Sequence, residues 1–216
     1  MCKITTEKAL KLKEFIECIE DFNLLSPKPC PYMDHIGAIF TDSILQAGLN
    51  YRTVVWPRVN FVLHMYPYAD TVSSFSDVLG NYGASNVLHL NNTEKINRID
   101  DLISLCLDNG IDTARQLTDF LKNDDNLVAL KSIHGIGDKT CDYMKRLLGF
   151  DIVAVDRHVR AFIENADIYC HDYYDIKKVV EYTADFIGCA RRELDFSIWN
   201  YMSEKEHKTI QLEFDF

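Results

Sequence analysis

An all-α fold is what the sequence predicts, and three observations carry that prediction. Apolar residues recur at spacings of three and four along most of the chain, the period of one buried helical face. The clearest breakers fall between these periodic segments: the three prolines of SPKPCP (26–31) and the pair Asn109-Gly110. Residues suited to helix N-caps precede two of the segments, at Asn91-Asn92-Thr93-Glu94 and at Asp156.

The elements follow in order. Residues 6–22 place Ala9, Leu12, Ile16, Ile19 and Phe22 on one face and predict a first helix. The segment 26–31 is an extended linker, because proline fixes φ and lacks an amide donor. Residues 34–48 and 51–66 predict two mostly buried helices, the second starting near Trp56 or Pro57, since proline suits a first turn. A short helix is expected over 72–80 and an amphipathic one over 92–109. Two short helices follow at 113–122 and 125–132. Beyond them come a helix starting near Asp138, an apolar run at 152–155 that must be buried, and helices over 156–166, 173–188 and 190–202. The tail KTIQLEFDF (208–216) alternates loosely and reads as a strand or an unpaired end.

Composition bounds the function. Hydrophobic residues make up 47 % and charged residues 26 % of 216, ordinary for a soluble globular protein. No apolar run is long enough to cross a bilayer, so no membrane partner is expected. The start MCKITTEKALKLKEF reads as an amphipathic helix and lacks the apolar core of a signal peptide, which predicts a cytoplasmic protein, or a nuclear one in a eukaryote. Seven scattered cysteines, none in a CxxC pair, read as reduced core thiols. His64 and His89 show no ligand spacing. The net charge of −10 argues against bulk electrostatic coating of nucleic acid. The charge is uneven, however. Residues 131–160 hold six Lys/Arg against four Asp/Glu, a net of +2, which leaves −12 elsewhere. Such a local positive field suits a grip on a few phosphates, with weak non-specific binding that collapses as salt rises.

The chemistry concentrates in HGIGDKTCDYMKRLLGFDIVAVDRH (134–158). Glycines in HGIG allow a tight reversal between helices, anchored by Ile133 and Ile136. The helix that follows points unsatisfied N–H groups outward, and these favour an anion such as a backbone phosphate. Lys139 supplies an amine that can form a Schiff base when neutral, and Asp156 a carboxylate able to move a proton or stabilise a cationic sugar. Each residue alone has a plainer role, a surface lysine and a helix cap.

Together, GIGDKT, the helix after it and VAVDRHV resemble the helix-hairpin-helix DNA glycosylase superfamily, which includes endonuclease III and the 8-oxoguanine DNA glycosylases. Gly135, Gly137, Lys139, Asp156 and His158 fill the places of the family pattern. The resemblance is specific over 130–160 and weaker over 36–202. It implies two helical lobes with an active-site cleft between them: 1–35 with 156–216, and 36–155 containing the hairpin at about 126–149. It implies that Lys139 attacks C1′ of a flipped-out nucleotide, expels the base and leaves an imine that undergoes β-elimination, with Asp156 assisting. It places a DNA phosphate on the amides of Gly135, Gly137 and Thr140, and a Na+ or K+ ion on the carbonyls of Lys131, Ile133 and Ile136. It gives Gln46 the role of filling the gap left by the flipped base and Leu90 that of a wedge. Base-pocket candidates are Trp56, Cys141, Tyr143, Phe196 and Trp199.

The family's iron–sulfur cluster needs four closely spaced cysteines, and only Cys170 and Cys189 lie beyond Asp156, so no cluster and no required cofactor are expected. The compact size and missing cluster resemble the small 8-oxoguanine glycosylases, which makes an oxidised purine in double-stranded DNA the expected substrate, with an oxidised pyrimidine close behind and abasic sites alongside, acted on by a nucleoid-associated monomer. Two other readings stand beside this one: a non-enzymatic hairpin module binding DNA or protein, and a monofunctional glycosylase using water activated by Asp156.

Overall fold

The computed structural model describes residues 3–214, with side chains over 4–205. The described chain is all-helical, with no strand among those residues. It folds as two compact units, Pro29–Gly149 and Met1–Lys28 with Phe150–Phe216. These boundaries fall at 28/29 and 149/150, against 35/36 and 155/156 read from the sequence.

In the unit formed by both chain ends, α1 (Lys3–Glu17) packs along α11 (Tyr173–Ile187), with α10 (Arg157–Asn165) and α12 (Arg191–Phe214) completing the bundle. Leu12, Ile16, Val159, Phe162, Val179 and Ile198 are buried together. The run at 152–155 lies outside any helix, and Val153 and Val155 enter the same core, where burying an aliphatic side chain contributes about 1.5–3 kcal/mol. Lys8 and Asp175 tie α1 to α11 at 2.7 Å, and Thr183 Oγ1 donates to the carbonyl of Ala9. The first helix stops at Glu17 rather than Phe22.

The tail departs from expectation. The backbone of α12 stays helical through Phe214, so 208–214 are not a strand, and residues 215–216 lie outside the described residues. No breaker interrupts SEKEHKTIQLEF, and helix initiated upstream propagates at little cost per residue.

In the other unit, α2 (Ile36–Leu45) is central, and all ten of its residues are buried. It packs against α3 (Trp56–Met65), α6 (Thr93–Asp108) and α9 (Asp138–Leu147). His35 caps it: Nδ1 accepts from the Ala38 amide at 3.1 Å while Nε2 meets the Tyr66 carbonyl at 3.1 Å. Gly37 is glycine because a Cβ there would meet the Phe75 ring at 2.7 Å and the Ala69 carbonyl at 2.9 Å. A single π-turn (Tyr51–Val55) leads into α3, which begins at Trp56 with Pro57 in its first turn, as its sequence predicts. Thr71 and Thr113 form capping boxes for α4 (Val72–Tyr82) and α7 (Ala114–Leu121). A four-residue helix α5 (Ala84–Val87) was not expected. Asn92 caps α6 through the Lys95 amide at 3.0 Å. The short α8 (Asn126–Ser132) then leads to α9.

Candidate active site

The turn between α8 and α9 is built around Gly135, whose φ of +84° is open to glycine and strained for other residues. Ile133 and Ile136 are buried beneath it, and the Ile136 amide donates to the Ile133 carbonyl at 3.0 Å. Lys131 and Asp138 pair across the turn at 3.0 Å. Gly137 is the N-cap of α9 and has no side chain to cap it, so the helix start is left to other donor–acceptor partners. Thr140 lies in that first turn and is buried.

Arg98 of α6 covers the turn from outside. Its Nε donates to the His134 carbonyl at 2.7 Å, and a Cβ on Gly135 would lie 1.8 Å from its Nη2. Sequence reasoning missed Arg98, since an arginine on an amphipathic helix carries no sign of a partner thirty-six positions away.

Lys139, in the first turn of α9, donates through Nζ to Gln46 Oε1 across 93 positions of chain. Gln46 caps the end of α2 and is held at its other end by Nε2 donating to the Ser43 carbonyl at 3.3 Å. The Lys139 ammonium also lies 6.0 Å from the Tyr143 ring centroid, and Arg146 lies over the same ring at 4.9 Å. Below, the Tyr143 hydroxyl donates to Asp42 Oδ1 at 3.1 Å. Tyr32 and Tyr51 donate to Asp42 Oδ2 at 2.5 and 3.2 Å. Burial raises the pKa of the fully enclosed Asp42 carboxyl, an effect opposed by the three hydroxyls and Arg146. Burial, then the Asp42 charge, pushes the Tyr51 phenol up to about 12 and Tyr143 well above its ordinary range. Asp42 was legible in principle: an acid inside the apolar run IFTDSIL must find donors, and the chain has eleven tyrosines.

Lys95 of α6 was also missed. It is 7 % exposed, and its Nζ donates to the carbonyls of Ile44 at 2.9 Å and Ala47 at 2.7 Å, on either side of Gln46. Burial lowers its pKa, and Arg98 and Lys139 lower it further.

Asp156 is the N-cap of α10. Its Oδ1 accepts from the amides of His158 at 2.8 Å and Val159 at 2.9 Å, and Oδ2 faces His158 Nδ1 at 3.2 Å. Trp199 meets the His158 ring edge-on and stacks on Phe196 at 6.2 Å. Within the Pro29–Gly149 unit, Lys139, Gln46 and Tyr143 are thus brought together. Asp156, His158, Trp199 and Phe196 are brought together in the other. Trp56 is 38 % exposed and lies 6.3 Å from the Tyr32 ring. Cys141 is 2 % exposed, its thiol pushed up to about 11 by burial, so it sits in the core of its unit. Leu90 is half-buried, and its amide donates to the Ser85 carbonyl.

Among the described residues no group of three His, Cys, Asp or Glu side chains could hold a metal ion, and no helix is long and apolar enough to cross a membrane. The carbonyls assigned to a monovalent cation are uncharged oxygens of a suitable kind, and that of Ile133 already accepts one hydrogen bond.

A family model described as a domain of unknown function matches residues 20–203. The chain belongs to this family, DUF8548. No curated protein and no solved structure matches it. The DUF8548 match spans both units and includes Gln46, Lys95, Lys139 and Asp156.

Proposed function

We propose that this DUF8548 chain is a bifunctional DNA glycosylase and abasic-site lyase acting on an oxidised base, with 8-oxoguanine the leading candidate. The observation that carries the reading is the hydrogen bond from Lys139 Nζ to Gln46 Oε1. These are the two side chains that the glycosylase resemblance assigns to the nucleophile and to the gap left by a flipped base. A glutamine that fills that gap must stand beside the amine that attacks the flipped sugar. Nothing in ordinary helix packing requires a lysine and a glutamine 93 positions apart to meet.

In this reading α8, the turn over 133–137 and α9 form the helix-hairpin-helix. The start of α9 receives a phosphate, with Gly135, Gly137 and Thr140 supplying amides and Arg98 adding charge beside it. A monovalent cation would rest on the carbonyls of Lys131, Ile133 and Ile136 and add positive charge beneath that phosphate. The neutral Lys139 amine attacks C1′, forming a C–N bond as the glycosidic bond breaks and the base departs with its electron pair. The base takes up a proton, and the amine nitrogen loses one as the sugar ring opens to the imine. Asp156 is assigned this proton traffic and the developing positive charge on the sugar. Loss of a C2′ proton then expels the 3′ phosphate.

Sodium borohydride in the presence of abasic duplex tests the proposal. The wild-type chain should give a covalent adduct whose attachment maps to Lys139, and Lys139→Ala should give none. Base release without an adduct, persisting in Lys139→Ala, would instead favour water activated by Asp156. Neither release nor adduct across a panel of single-lesion duplexes would leave a binding module.

A further inference from the structure

Asp42 is a buried carboxylate that the glycosylase reading does not use. Enclosing a charge costs stability, which hydrogen bonds only offset. Apolar side chains of similar volume would pack α2 without that cost. What the carboxylate adds is direction, because each of its donors must lie where an oxygen can accept. The donors come from three places: Tyr32 ahead of α2, Tyr51 of the π-turn and Tyr143 of α9. Burial, then the Asp42 charge, keeps the Tyr143 phenol protonated and therefore a donor. Of the three, Tyr143 alone is on the helix that carries Lys139. Asp42 stands four residues before Gln46 at the end of α2, and Tyr143 four residues after Lys139 on α9. Four residues make about one helical turn, so each pair shares a face of its helix. The Gln46 amide donates to the Asp42 carbonyl at 3.0 Å, which ties those two into the same last turn. The bonds from Tyr143 to Asp42 and from Lys139 to Gln46 are thus two cross-links between antiparallel helices, one turn apart.

Resting on the glycosylase reading, we propose that Asp42 and Tyr143 are positioning residues for Lys139 and Gln46: their buried hydrogen bond sets the register of α2 on α9 and so places the glutamine at the amine. Apolar helix faces admit more than one register, and a single buried polar contact selects among them, as a polar residue does in a coiled-coil seam. A slide of one turn, about 5.4 Å, would break both cross-links. The contact between Lys139 and Gln46 must also open when a flipped sugar reaches the amine. The buried contact one turn away holds the two helices in place while it does.

The test uses the full chain with Tyr143→Phe, Asp42→Asn and, for comparison, Tyr32→Phe. Tyr143→Phe keeps the ring and removes only the hydroxyl that reaches α2. Tyr32→Phe takes a hydroxyl from the other oxygen of the same carboxylate. The side-chain amide resonance of Gln46, identified by its loss in Gln46→Glu, reports the contact with Lys139 without DNA. Borohydride trapping at saturating abasic duplex reports reactivity. Tyr143→Phe should move the Gln46 resonance toward its position in Lys139→Ala and slow trapping about tenfold, within what misplacing a reacting group by about 1 Å costs. Tyr32→Phe should do less of both. Equal effects of the two variants would reduce the cluster to packing and overturn the inference, as would a folded Tyr143→Phe with the wild-type resonance and trapping rate. If Tyr143→Phe fails to fold, Asp42→Asn decides by the same two readouts against Tyr32→Phe. A moved resonance in a chain that never traps DNA sinks the glycosylase reading while the register set by Asp42 and Tyr143 stands.

Discussion

The Arg98 guanidinium occupies the space where a Cβ on residue 135 would project, 1.8 Å from the Nη2 atom. The α8–α9 turn and α6 are therefore fitted to each other at a glycine that is required twice, for its positive φ and for its missing side chain. Gly135→Ala should cost about 1–3 kcal/mol in urea unfolding, from left-handed strain with displacement of Arg98 added. Arg98→Ala alone should cost less, because a half-exposed arginine can be replaced by water at the His134 carbonyl. In the double variant the collision disappears and the backbone strain remains. The two costs should then sum to more than the double-variant cost.

Asp42 predicts an unusual pH dependence. A carboxyl whose folded pKa is raised binds its proton more readily in the native state than in the unfolded chain. Its contribution to stability is therefore most favourable at low pH. It declines as pH rises from the ordinary aspartate range through the raised folded value. Asp42→Asn removes this titration, so the slope of stability against pH over that window should be less negative in the variant, as measured by urea melts at successive pH values. At neutral pH the variant should lose about 1–3 kcal/mol, because an amide offers one acceptor oxygen where three hydroxyls now find two. An unchanged slope would mean that Asp42 does not titrate differently on folding.

The thiols offer a check that needs no substrate. Burial pushes Cys106 up to about 12 and Cys141 up to about 11, and both side chains are enclosed, whereas Cys18 is exposed. Alkylation of the native chain at pH 8 should modify Cys18 and spare Cys106 and Cys141 until denaturant is added, because the thiolate is the reacting species. Native labelling of Cys141 would show that it faces solvent, as its expected place in a base pocket requires.

How much of this was legible in the sequence divides along local and distant interactions. The helices announced themselves where caps and periodicity agree: Asn92 and Asp156 stand where their residue types predict, and α3 begins at Trp56 ahead of its proline. The π-turn before α3, the single turn of α5 and the helical tail did not, because no side-chain signal distinguishes them from loop or strand. Gln46 and Lys139 were each singled out through the glycosylase resemblance. Their hydrogen bond was not, since it depends on how α2 and α9 cross. Lys95 and Arg98 were invisible for the same reason. On the sequence, Lys95 and Arg98 read as charged positions of an amphipathic helix, and only the carbonyls of Ile44, Ala47 and His134 give these two cations their places.

Asp156 allows capping and catalysis to be separated in one experiment. As N-cap it accepts the His158 and Val159 amides on a single oxygen, a role that asparagine fills about as well as aspartate. Asp156→Asn should therefore stay within about 0.5 kcal/mol of the wild type, whereas Asp156→Ala should lose about 1–2 kcal/mol with two amides left uncapped. Activity should follow a different order. If the carboxylate moves protons and stabilises the cationic sugar, both variants should fall together in base release by about two orders of magnitude or more, because an amide can do neither. Borohydride adduct formation on a preformed abasic site should fall less, since there the base has already left. Base release by Asp156→Asn at the wild-type rate would reduce Asp156 to a helix cap and remove the carboxylate from the proposed reaction.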